Sequence, residues 1–293
     1  MEKEKVLDNV KTVDGHVHTF SSDEIAKKII ESFNNVYSID FNLLGEGTID
    51  DLIQGMNLAG IDYSIMANFA PPKILDANNM WALEMSRLNR CLIPLVSFHP
   101  DMGKEILPLL EKYINLGAKG IKFHNMAQAF SPTHTALEPL YAYCNQLGFP
   151  IEFHCGRVSN ARLNEYSDVE CIFPVIDKYP DIPIILTHMA DGNINDVIKL
   201  SKEYKNVYFD TSIVISGYPS ILKTNTPSWL DDTVVVDVIN TIGVTKVLFG
   251  SDYPWGSPKH DLHRIINLDL TCEEKKLILG ENAIKVFNVN FDN

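Results

Sequence analysis

Short apolar runs alternate with amphipathic stretches along most of the chain. The apolar runs are rich in β-branched and aromatic residues: TVDGHVHTF (12–20), IDYSIMANF (61–69), LIPLVSFHP (92–100) and AKGIKFHN (118–125), then FPIEFHCG (149–156), IPIILTHM (182–189), NVYFDTSI (206–213) and KVLFGSDYP (246–254). Between them lie segments with apolar positions at helical spacing, among them TIDDLIQGMNLA, KEILPLLEKYINL, ALEPLYAYCNQL, NINDVIKLSKEY and DDTVVVDVINTI. Glycines follow several of these, at Gly117, Gly148 and Gly243, where a helix would stop.

Strand starts fall mostly about 25–40 residues apart, the length of a βα unit. Alternating strand and helix predicts a parallel sheet. Eight such units in 293 residues predict an α/β fold, a (β/α)8 TIM barrel forming a single domain over 1–293. A doubly wound sheet would need a glycine-rich phosphate loop after its first strand, and no GxGxxG or GxxxxGK occurs. The first interval is the longest. It contains SSDEIAKKIIESF, which predicts an inserted helix after strand one, capped by Ser22 or Asp23 and placed as a lid or a plain surface helix. A C-terminal helix, TCEEKKLILGENAIKVF, closes the pattern.

Composition narrows the function classes. Hydrophobic residues make up 45% of the chain and charged residues 22%, the profile of a soluble globular protein. A net charge of −13 argues against nucleic acid as a partner. No apolar run approaches a membrane span, and the charged start MEKEKVLDNVK lacks a leader's apolar core. The five cysteines are odd in number, widely spaced and without a CxxC pair, as expected of a reducing compartment. The expectation is a cytoplasmic protein acting on a small molecule, with a homo-oligomer allowed.

Six of the nine histidines fall near predicted strand ends: His16, His18, His99, His124, His154 and His188. Asp252 ends strand eight. In a barrel these ends converge on the face where active sites are built. A single strand histidine is more simply a satisfied core residue. Several imidazoles and a carboxylate aimed into one basin, however, call for a compensating cation. His16 and His18, two apart, share one strand face. If His154 and Asp252 are the inward residues of their strands, the four can close around one divalent ion. The donor set suits zinc first, with manganese, iron or cobalt as alternatives. His188 is then a general base or a group that orients water.

These residues resemble the amidohydrolase superfamily, and within it the amidohydrolase-2 branch of metal-dependent TIM-barrel hydrolases and decarboxylases. The resemblance rests on "DGHVH", "FHCG", "LTHM", "FGSDYP" and the closing "ILGENAIKVF", in that order over almost the whole chain. It implies that His16, His18, His154 and Asp252 bind one metal, that His188 is catalytic, and that Asp252 also moves protons. The chain departs mildly after strand six, where Met189-Ala190-Asp191 precede Gly192; the shape of that loop is what this puts in question.

Lys122 stands where two-metal members carry a carboxylated bridging lysine; a structural or substrate-binding lysine is the alternative. His124 points the same way and could line the pocket or act as a ligand. Arg157 and Arg162, two of only five arginines, fall after strand five, where a guanidinium could take a substrate carboxylate. Tyr253 and Trp255 follow Asp252 as pocket walls or core. Asp14 could support a ligand histidine, and Asp210 has an equally open role. His260 and His263 read as a solvated helix face. The leading expectation is hydrolysis of an ester, lactone or amide by metal-activated water. The alternative is non-oxidative decarboxylation of an aromatic or unsaturated acid. A barrel that binds without turnover is the reading outside enzymology.

Overall fold

The computed structural model describes residues 10–37, 44–156, 161–215 and 230–290. All eight predicted strands are present: β1 (Val13–Val17), β2 (Tyr63–Met66), β3 (Leu92–Val96), β4 (Gly120–Phe123), β5 (Ile151–Phe153), β6 (Ile184–Leu186), β7 (Val207–Asp210) and β8 (Val247–Leu248). They form one eight-stranded sheet in chain order, β1 to β8, the (β/α)8 barrel fold. β1, β3, β4, β5 and β6 are buried at every position, as strands of an all-parallel sheet are when helices cover it. The chain clusters into two compact units.

The first unit comprises residues up to Met66 and from Asp210 to Lys285. β1 pairs with β2 in the register Val13↔Tyr63, Asp14↔Ser64 and Val17↔Met66. On its other side, Gly15 N donates to Phe249 O at 2.8 Å, Asp252 N to His16 O at 2.9 Å and His18 N to Tyr253 O at 2.6 Å. The inserted helix is present as Asp23–Tyr37, and Ser22 Oγ caps it by accepting from Ile25 N. The helix Ile49–Ala59 starts at Thr48, whose side chain accepts from Asp51 N, and buries Leu52 and Met56 one turn apart. It ends at Gly60 in the left-handed conformation, φ 78°. The predicted C-terminal helix opens on a capping box between Thr271 and Glu274. It then widens into a π-helical turn, Leu277–Glu281.

The second unit runs from Ala67 to Phe209 with the last residues of the chain. β3 to β7 pair in parallel, with Leu95↔Gly120, Lys122↔Glu152, Phe123↔Phe153, Glu152↔Ile185 and Ile185↔Tyr208 in register. The amphipathic segments give the helices Ile106–Asn115, Glu138–Leu147 and Ile194–Glu203. Phe123, Phe153, Tyr141 and Leu110 are buried. The segment after β2 carries a further helix, Leu75–Leu88. Its buried side includes Asn79, a polar residue that interrupts the apolar stripe. Asn79 exchanges hydrogen bonds with the Ser97 backbone, Nδ2 to O at 2.8 Å and N to Oδ1 at 3.0 Å, which satisfies the buried amide.

Candidate metal centre

Strand alternation puts Asp14, His16 and His18 on one face of β1. At the upper end of that face, His16 Nε2 lies 3.0 Å from His18 Nε2. Asp252 Oδ1 lies 3.4 Å from the first and 3.3 Å from the second. All three side chains are buried, and the cluster has the makings of a cation site. Bonds of about 2.0–2.1 Å to one ion place neighbouring ligand atoms about 3.3–3.4 Å apart in a tetrahedral site, and about 2.9–3.0 Å apart in an octahedral one. The three separations span both values. The donor set therefore fits a divalent metal without singling out zinc.

The far side of His16 is held by a carboxylate. His16 Nδ1 lies 2.9 Å from Asp210 Oδ2 at the end of β7. A proton on Nδ1 donated to Asp210 leaves the Nε2 lone pair for the cluster. Asp210 is itself fixed, since its Oδ1 accepts from the Ser212 backbone N–H at 3.0 Å and from the Ser212 hydroxyl. Deeper on β1, Asp14 accepts from Ser251 Oγ at 2.6 Å and Ser251 N at 2.9 Å. Burial raises its carboxyl to about 7, against the lowering effect of those hydrogen bonds.

Aromatic side chains frame the cluster. Trp255 meets the His18 ring edge-on with centroids 5.2 Å apart, and Phe20 meets Trp255 at 6.3 Å. Tyr253 turns to a different task. Its hydroxyl donates to Asp51 Oδ2 at 2.5 Å and accepts from Gly47 N at 3.1 Å. Leu44 N donates to Pro254 O at 2.7 Å. The chain returning from the inserted helix is thus tied to the loop that carries Asp252. Gly45 is required there, because a Cβ would sit 2.3 Å from the Tyr253 ring. Burial and Asp51 push the Tyr253 phenol above its ordinary value.

The second unit carries the other predicted residues in two layers. The register that pairs Lys122 with Glu152 also stacks His124 on His154, with ring centroids 3.8 Å apart and planes 14° from parallel. His188 meets His154 edge-on at 5.2 Å, and Phe69 lies 4.4 Å from His124. One layer below, Lys122 Nζ lies 2.7 Å from Glu152 Oε1, both fully buried. Carboxylation of Lys122 would bring a second negative charge against that buried carboxylate, which disfavours it. His124 caps the helix Asn125–Gln128, its Nδ1 accepting from Ala127 N at 3.3 Å. A neutral His124 ring therefore carries its proton on Nε2 and presents a donor there, the wrong form for an Nε2 metal ligand. Gln128 holds this corner, accepting from His124 N at 3.1 Å and donating to Ala70 O at 3.2 Å.

The loop questioned after strand six has an unusual backbone. His188, Met189, Ala190 and Asp191 have φ of 56°, 44°, 51° and 61°, followed by Gly192 at 67°. This left-handed turn closes with Gly192 N donating to His188 O at 2.9 Å. It carries His188 at its first position.

Among the other expectations, His99 lies at a strand end but bonds Asp101 N and the Gln128 carbonyl. His260, His263 and Arg162 are exposed. Cys155 is buried, its backbone N–H bonded to Thr187 Oγ1 at 3.0 Å. Arg157 lies outside the described residues. Sequence reasoning missed Glu152, Ser251 and Gln128. Glu152 had a usable signal, since it stands two residues before His154 and so shares its strand face.

Among the described residues no helix is long and apolar enough to cross a membrane. A family profile described as "Amidohydrolase" matches residues 66–289. Gamma-resorcylate decarboxylase from Polaromonas sp. (strain JS666 / ATCC BAA-500) is 24% identical over 123 residues, covering 40% of this chain and 37% of that relative. The match thus spans little more than a third of the curated relative's length. The structure of 5-carboxyvanillate decarboxylase from Sphingomonas paucimobilis superposes with a TM-score of 0.72 at 13% identity, over 96% of this chain and 100% of that one. Dihydroxybenzoic acid decarboxylase from Polaromonas sp. JS666, solved with bound manganese and the inhibitor 2-nitroresorcinol, superposes with a TM-score of 0.68 at 16% identity, over 97% and 98%. At these identities the likeness establishes the fold.

Proposed function

We propose, from the premise that this chain belongs to the amidohydrolase family, that it is a metal-dependent decarboxylase releasing carbon dioxide from an aromatic carboxylic acid without oxidation. The observation that carries the metal requirement is the convergence of His16 Nε2, His18 Nε2 and Asp252 Oδ1 in one buried cluster. The reaction is supported by the relatives, three of them named decarboxylases of aromatic acids. Hydrolysis, which the motif pattern puts first, has none of these relatives behind it.

In this reading His16, His18 and Asp252 hold one divalent ion, with His154 as the fourth protein ligand that the family resemblance implies. Manganese is the ion proposed, since a relative of this fold was solved with it. When bound, the ion supplies positive charge and Lewis acidity to substrate oxygens. The rest falls to the chain. A proton must reach the ring carbon that bears the carboxylate, and Asp252 or His188 delivers it. The carbon–carbon bond then breaks, its electron pair returns to the ring, and carbon dioxide leaves. His124 donates to the substrate from Nε2, and Arg157 pairs with its carboxylate. Lys122, ion-paired with Glu152, ties together the strands that lead to His124 and His154. Trp255 supplies aromatic surface beside His18.

The test is product analysis on protein reloaded with Mn2+ and offered ortho-hydroxybenzoates beside esters, lactones and amides. Carbon dioxide and the decarboxylated arene are expected. Cleavage of the esters, lactones or amides without carbon dioxide would replace this reading with hydrolysis. Inertness on both panels would favour a protein that binds without turnover.

A further inference from the structure

Asp252 adopts a left-handed backbone, φ 58°, which a side chain other than glycine's rarely takes. Such a conformation persists only where the surroundings over-determine it, and every nearby backbone donor is accounted for. Asp252 N donates to His16 O at 2.9 Å, and Trp255 N and Gly256 N both donate to Asp252 O, at 2.9 and 3.0 Å. Gly256 admits no side chain, since a Cβ would lie 1.9 Å from Ser251 O. The two remaining donors, Ser251 N and Tyr253 N, lead to one buried carboxylate. Ser251 N donates to Asp14 Oδ1 at 2.9 Å. Tyr253 N donates to Ser251 Oγ at 3.2 Å, and Ser251 Oγ donates onward to Asp14 Oδ2 at 2.6 Å. The same Oδ1 also accepts from His16 N at 3.3 Å.

We infer that Asp14, acting through Ser251, is a positioning residue that sets His16 and Asp252 in register with each other. Asp14 touches no ligand atom of the cluster. It grips the backbone of β1 at His16 and the backbone on both sides of Asp252, so one side chain spaces ligands 236 residues apart in sequence. The hydroxyl of Ser251 is needed because it alone joins the Tyr253 N–H to the carboxylate. This inference rests on the metal reading proposed above.

The experiment loads Co2+ into the full chain as an optical probe of ligand geometry. Co2+ affinity and visible bands are compared among wild type, Ser251→Ala and Asp14→Asn, with circular dichroism and metal-free melting recorded on each. Ser251→Ala strands the Tyr253 N–H and one Asp14 oxygen. It should weaken Co2+ binding about 10–100-fold and shift the bands, with the metal-free fold retained. Asp14→Asn keeps an acceptor for the two backbone donors but turns an amide NH2 toward Ser251 Oγ. It should shift the bands in the same direction by less, and it decides the matter if Ser251→Ala does not fold. Folded variants that bind Co2+ within about twofold of wild type with unchanged bands overturn the inference alone. A wild type that takes up no Co2+ overturns the metal reading, and this inference with it.

Discussion

Lys122 Nζ lies 2.7 Å from Glu152 Oε1, with both side chains fully buried on neighbouring strands. Removing one partner of such a pair leaves an uncompensated buried charge, at about 3–5 kcal/mol. Lys122→Met and Glu152→Leu should each destabilise the protein by that order in urea denaturation. The double variant should lose far less than the sum, because neither charge is then stranded. Additive losses would show that the two groups are not coupled. Intact-protein mass should show Lys122 without an added carboxyl group.

The ligand assignment separates cleanly from the proton-transfer assignment. His16→Ala with His18→Ala should abolish stoichiometric metal while leaving circular dichroism near wild type. Asp252→Asn should weaken metal binding and lower turnover by orders of magnitude. His188→Asn should keep its metal and lose rate. Metal counting by mass spectrometry beside turnover distinguishes these patterns. Loss of metal from His188→Asn would instead make His188 a ligand.

The turn that carries His188 offers a stability test of its backbone. A left-handed residue with a Cβ costs roughly 1–2 kcal/mol, and Ala190 sits at φ 51°. Ala190→Gly should therefore stabilise the protein by up to about 1 kcal/mol, the reverse of the usual effect of that exchange. Urea denaturation measures it. A loss comparable to an ordinary Ala→Gly exchange would contradict the left-handed turn.

How much of this was legible in the sequence follows from the range of each interaction. The paired histidines of β1 were readable because a strand face repeats every two residues. The strand rhythm placed His124, His154, His188 and Asp252 at strand ends for the same reason. The helix Leu75–Leu88 was obscured by Asn79, whose burial depends on the Ser97 backbone just past β3. Asp210 gained its role from His16, 194 residues away, and no local pattern predicts that contact. Glu152 was within reach of the same two-residue rule that found His16 and His18, but a lone carboxylate among apolar strand residues gave no sign of its partner. Metal preference and reaction type stayed open because hydrolysis and decarboxylation use the same ligand set.

Decarboxylation is tested by following the fate of the carboxyl carbon and the incoming proton together. Mn2+-loaded protein is incubated in D2O with an ortho-hydroxybenzoate labelled with 13C at the carboxyl carbon, and the products are read by NMR. The label should appear as carbon dioxide or bicarbonate. One deuterium should appear on the ring carbon that had carried the carboxyl group, with neither product formed by the His16→Ala, His18→Ala variant. Label retained on the ring throughout the aromatic acid panel, while the same loaded protein cleaves an ester, lactone or amide, would contradict decarboxylation.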